Sequence, residues 1–171
     1  MPYGAHGVNL TVVQTLADYV AKGPRFPLGH EVVLPARTGG GLRSDMGEQV
    51  WIYVYNDEAA ADFVQGTIVA RDAATTPFHG ILSPLSCSAA RVLGVAQHTI
   101  PFGGAGFILK KGIGEVLADT GGITLDTGLV PGNAVTGRAD NAAAVTNQTF
   151  AISTETVLAT ALATCYINCV D

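Results

Sequence analysis

Histidine, cysteine and glycine-rich runs are the features of this 171-residue chain that offer chemistry beyond packing. His6, His30, His79 and His98 are far apart, and no two have the spacing of a metal-ligand set. His30 and Glu31 are neighbours, but on a strand adjacent side chains face opposite sides. His98, just before Ile100-Pro101, is expected to cap a turn. Cys87 follows His79 by a few residues in a Pro-containing loop, which is the raw material of a thiol nucleophile with a base. Its flanks, Pro84-Leu-Ser-Cys-Ser, match no thiol-enzyme signature, and nothing marks an oxyanion hole. Cys165 and Cys169, if on one strand, share a face about 13 Å apart, too far to bridge each other. They read as buried apolar thiols. An odd number of cysteines leaves at least one unpaired.

Two glycine runs, Gly103-Gly-Ala-Gly106 and Gly112-Ile-Gly114, look superficially like phosphate loops. Such a loop needs a strand before it and a helix after it. Strand-like residues flank both runs here, so hairpin turns are expected. Asp119, Asp126 and Asp140 are expected at loop tips and lack calcium-loop spacing. Asn9-Leu-Thr11 and Asn147-Gln-Thr149 match the glycosylation sequon, which has meaning only in a secreted chain. No catalytic set, metal or cofactor is expected, and the chain does not read as an enzyme.

Composition points to surface work. Charged residues are 13% of the chain, against roughly 25% in ordinary soluble domains. Interface cores are depleted in charge, so assembly is favoured over the simpler alternative of a neutral Thr, Asn and Gln exterior. The net charge of −5 and the single basic doublet, Lys110-Lys111, argue against nucleic acid as a partner. No apolar run approaches the ~18 residues of a membrane span. Met1-Pro-Tyr-Gly-Ala-His lacks the pattern of a signal peptide, so synthesis in the cytosol is expected.

The elements that must carry this surface are mostly strands. Short apolar runs broken by turn residues from Arg91 to Asp140 predict an all-β fold, a small barrel or sandwich of β-tulip-like form with little helix. Two domains follow: an arm over 1–48 and a β-barrel over 49–171. Within the arm, Asn9 to Lys22 carries Val12, Val13, Leu16, Tyr19 and Val20 at helical spacing and stops at Gly23-Pro24; an extended Leu10 to Val13 is the alternative. His30 to Leu34 reads as a strand. Gln49 to Tyr55 is the clearest strand, with Val50, Ile52 and Val54 on one face and Trp51, Tyr53 and Tyr55 on the other. Both faces call for cover. The aromatic one meets either the arm, a neighbouring subunit or the chain's own interior. Gly66 to Arg71, Asn147 to Thr154 and Leu162 to Val170 are further strands. Asp72 to Ser88 is expected to be the longest irregular connection, with a short strand possible at His79 to Leu82. Asn56 to Asp62 is expected to turn, and Glu155 to Ala163 has helical composition.

The segments Val92-Leu-Gly-Val-Ala-Gln, Ile100-Pro-Phe-Gly-Gly-Ala-Gly-Phe-Ile-Leu, Gly112-Ile-Gly-Glu-Val-Leu-Ala-Asp and Val130-Pro-Gly-Asn-Ala-Val resemble capsid decoration proteins of tailed bacteriophages, the head-stabilising or cement type. The resemblance covers under half of the chain and carries no catalytic motif. It implies a protein of the outer capsid surface that bridges subunits of the major capsid protein, as a trimer or other small oligomer, with a homotrimer the expectation. Avidity explains such binding: several weak contacts act together through effective concentration. Val12, Leu16 and Tyr19 are the expected arm contacts, and Trp51, Tyr53 and Tyr55 the expected second covered face. A tail or fibre-associated β-module that binds the host surface is the alternative function.

Overall fold

The computed structural model describes residues 10–35, 47–143 and 149–169, and its secondary structure is almost entirely β. The one α-helix among the described residues, α1, spans Leu16–Lys22. The strands are β1 (Glu31–Leu34), β2 (Gln49–Asn56), β3 (Ile68–Ala73), β4 (Thr76–Leu82), β5 (Val92–Val95), β6 (Ala105–Leu117), β7 (Gly128–Pro131), β8 (Ala139–Asn141), β9 (Ala151–Ser153) and β10 (Leu162–Asn168). They form a single sheet in the order β1-β2-β4-β3-β5-β6-β10-β9-β7-β8, and β2 also pairs with β6. That extra pairing joins β2, β4, β3, β5 and β6 into a closed ring. Only the β2–β4 contact in it is parallel, at Tyr55↔His79 and Asn56↔Gly80. Ring closure removes exposed edges that would otherwise template association. The all-β, small-barrel expectation holds.

β6 joins the ring to a second wing. Its first half pairs with β2 through Ala105 to Lys111, and its second half with β10 through Lys111 to Leu117. The change of partner falls at Gly112, whose φ of +120° suits glycine alone. A Cβ there would lie 2.8 Å from the Glu48 carbonyl oxygen. Gly112 and Gly114 are therefore inside one 13-residue strand and are not the hairpin turn expected. Gly103 and Gly104 do form a turn, ahead of β6. The wing runs β6-β10-β9-β7-β8, and a bridge between Ala118 and Ala139 returns β8 to the end of β6.

Several other expectations are corrected. The helix does not begin at residue 9 or 10: Gln14 spends its backbone on Ala105, as donor at 2.8 Å and acceptor at 2.9 Å, so helix starts only after Thr15. Its end at Gly23 is as expected. Thr76–Leu82 is a full strand, and Pro77 is tolerated because it falls in the register shift between Arg71 and Ala73. Residues 155 to 161 are not helical, since Val157 pairs with Ile123 instead. Asp119 is 1% exposed and is no loop tip. Residues 147, 148 and 170, which fall in two of the expected strands, lie outside the described residues, as do His6 and the first sequon's Asn9.

The two faces of β2 feed two cores. Trp51 and Tyr53 belong to the larger, with Phe107, Leu109, Ile68, Val95 and the wing's Val116, Cys165 and Ile167. Ile52 and Val54 belong to the smaller, with Phe63, Val69, Ile100 and Ile108. Phe107 is fully buried, its ring centroid 5.0 Å from Tyr53 and 5.3 Å from Phe26. Truncation there removes a ring that both Tyr53 on β2 and Phe26 pack against. Phe107→Ala should cost about 3–5 kcal/mol, read as a lower urea midpoint with little change in slope; a loss under about 1 kcal/mol would contradict this packing.

Candidate interaction surface

Three segments distant in sequence converge at one end of the ring: the start of α1, the turn before β6 and the end of β2 with β4. Thr15 caps the helix, its hydroxyl accepting from the Asp18 N–H at 3.3 Å, and Gly23 closes it at φ +71° with its N–H on the Tyr19 carbonyl. Gln14, 7% exposed, fastens this unit to the barrel. Its side-chain amide donates to the Gly23 carbonyl at 2.7 Å and accepts from the Arg25 N–H at 2.9 Å. The Tyr53 hydroxyl donates to the same Gln14 oxygen at 3.0 Å. Across the turn, Asn56 donates to the carbonyls of Ala61 and Ile100, both at 3.1 Å.

No residue of α1 is buried. Leu16 lies over Gly103, yet it stays 42% exposed; Val20, one turn on, is 76% exposed, and Phe102 beside that turn 44%. Tyr19 leans on Tyr55 with ring centroids 4.6 Å apart, and Tyr55 on His79 at 5.0 Å. His79 Nδ1 is 3.0 Å from the Asp57 carboxylate. Burial raises the Tyr19 pKa, and the charges of Tyr55 and Asp57 act in the same direction. The arrangement is an apolar ridge beside an aromatic and acidic rim.

The residues singled out from sequence divide accordingly. Leu16 and Tyr19 are on this surface, and half-buried Tyr55 lies beneath Tyr19. Val12 is half-buried. Trp51 and Tyr53 are covered by the chain itself at 7% and 1% exposure. Val20 and Phe102 were not singled out. Val20 was visible in the helical spacing, whereas Phe102 had no signal beyond its glycine neighbours.

The chemistry-bearing residues stay dispersed. Among the described residues no group of three or more His, Cys, Asp or Glu is placed to hold a metal, and no helix is long and apolar enough to cross a membrane. His30 stacks on Phe26 at 5.6 Å, while Glu31 meets Lys110 at 2.7 Å. Burial lowers the pKa of His98, and its Nε2 is buried with no hydrogen-bond partner. Cys87 borders an open cleft with Ser86, Ser88, Pro131 and Asp140. Burial raises its pKa against the opposing charge of Arg91. Asp119 organises the loop after β7, accepting from the N–H groups of Ala134 at 2.9 Å, Val135 at 3.2 Å and Thr120 at 2.8 Å. Burial pushes its carboxyl up, but these donors and Arg138 outweigh that and hold it below the usual value.

The fold thus defines a small closed β-barrel extended by a strand wing. No protein-family model matches the chain, and no curated protein matches it. Among solved structures, the fold is similar to the N base of head fiber gp8.5 of bacteriophage phi29. The TM-score is 0.50 at 15% identity, over 70% of this chain and 94% of that one. At that identity the likeness is one of fold.

Two measurements follow. Burial pushes the thiols of Cys165 and Cys169 up to about 12, so an aromatic disulfide reagent at neutral pH should titrate at most Cys87 in the native protein and all three thiols after denaturation. Because the Asp119 carboxyl is lowered by folding, its contribution is complete above its unfolded pKa and is lost as pH falls through the folded value. Asp119→Asn should lower the melting temperature at neutral pH and flatten the acid limb of the stability profile; an unchanged acid limb would refute the assignment.

Proposed function

We propose that this chain is a structural protein of a tailed-phage virion, seated on the outer surface of the expanded capsid and stabilising it by bridging capsid subunits. The observation that carries the reading is the fold shared with the base of a phage head fiber, spanning nearly the whole of that base. Two features of the chain support it. Charge is scarce, as in surfaces that end up covered, and α1 offers an apolar ridge that the chain leaves open. Leu16, Tyr19, Val20 and Phe102 would touch the capsid, with Val12 and Tyr55 behind them. Trp51 and Tyr53 would serve by anchoring the arm. Binding restricted to the expanded shell stabilises that state by mass action, and several copies or contacts add avidity.

The second reading is a fibre-associated module that meets the host surface, favoured by the same neighbour because it belongs to a fiber. Purified protein mixed with emptied, expanded capsids lacking it should co-sediment at a saturating ratio and raise the shell's melting temperature. The Leu16→Asp/Val20→Asp variant should bind at least about tenfold more weakly, equivalent to about 1.4 kcal/mol, while keeping its own melting temperature. No binding to such shells would overturn the proposal, and binding to host cells instead would move the protein to the second reading.

A further inference from the structure

We infer that the outward face of the wing, on β6, β10 and β9, is a two-fold contact between two copies of this chain. The inference stands apart from the capsid reading and departs from the homotrimer implied by resemblance. On one face the wing buries Val116, Ala163, Cys165 and Ile167; among the described residues the other face keeps Tyr166, Ile152 and Leu162 exposed, with Ile113, Glu115 and Thr164 lining a cleft beside Leu10 and Thr11. An antiparallel sheet with one open face usually shows polar residues there. This one shows an apolar band. The register aligns Ile113 with Tyr166 and Tyr166 with Ile152 across three strands; Leu117 pairs with Leu162 two same-face steps along, beyond Glu115 and Thr164. Tyr166 is 42% exposed, Ile152 41% and Leu162 36%.

The charges around that band name the occupant. On β6, Ile113 is bracketed two residues either way by Lys111 and Glu115, which side-chain alternation puts on the same face. Lys111 is 44% exposed and its ammonium is 4.0 Å from Glu48, at the limit of an ion pair. Glu115 accepts a hydrogen bond from Gln65. Two such sheets packed face to face about a two-fold axis crossing the strands run β6 antiparallel over its copy. Ile113 and Tyr166 then meet their own counterparts, and each Lys111 faces the other copy's Glu115. A row carrying one charge of each sign about an apolar centre is complementary to itself under this rotation. A three-fold contact joins two different patches and has no need of such a row.

Charge reversal in separate copies tests the contact. Sedimentation should find the wild-type protein dimeric. Lys111→Glu and Glu115→Lys, each alone, should weaken the dimer at least about tenfold by placing like charges opposite each other. An equimolar mixture of the two variants should dimerise again, because every pair across the interface is then attractive. Tyr166→Ser should weaken all of these dimers, and unchanged melting temperatures of the isolated variants would separate lost contact from lost fold. A monomeric or trimeric wild type, or a mixture no tighter than its components, would overturn the inference.

Discussion

The structure depends on β2 being committed in every direction. One edge of this strand pairs with β1 through Gln49 to Ile52 and with β4 through Tyr55 and Asn56, while the other edge pairs with β6 from Val50 to Tyr55. Its alternate side chains enter different cores, Trp51 and Tyr53 the larger, Ile52 and Val54 the smaller. A strand with both edges paired and both faces buried has no freedom of register, since a slip of one residue would exchange the two cores. The ring closes because β2 accepts strands on both sides, and the wing exists because β6 outlasts β2 and takes β10 as its next partner.

The same commitment explains how the segment before β2 is held. Its attachment is a set of directional bonds on Gln14, a polar side chain that could be buried only with its amide satisfied. Phe26 and Val32 add apolar contact to the larger core. With the helix tied at both ends by one amide, α1 needs to bury none of its own side chains. Its apolar residues remain on the surface, where they form the ridge proposed to meet another protein.

Much of this was legible in the sequence where patterns are local. The alternation in Gln49 to Tyr55, the boundary at Gly23-Pro24, the strand at Leu162 and the apolar reading of Cys165 and Cys169 follow from side-chain period and turn chemistry. Failures came where a distant partner overrode the local signal. Gln14 gave up helix for a bridge to Ala105. Gly112 and Gly114 looked like a turn, but continue a strand because Glu48 and Gln49 pack closely against Gly112. Pro77 hid a strand that a register shift accommodates. The surface joining Leu16, Tyr19, Phe102, Tyr55 and His79 was legible only in part, because its members are scattered along the chain from Leu16 to Phe102.

What the sequence alone determined was class and character: an all-β chain, poor in charge. Those properties follow from composition and from periods of two residues, which neighbours along the chain dictate. Only the tertiary structure decided that the strands close into a ring, that Trp51 and Tyr53 are covered by the chain itself, and that Tyr166 and Ile152 share an open face. Each is a matter of long-range register: which strand lies beside which is settled by how the whole set of side chains packs, and no short window of sequence contains that information.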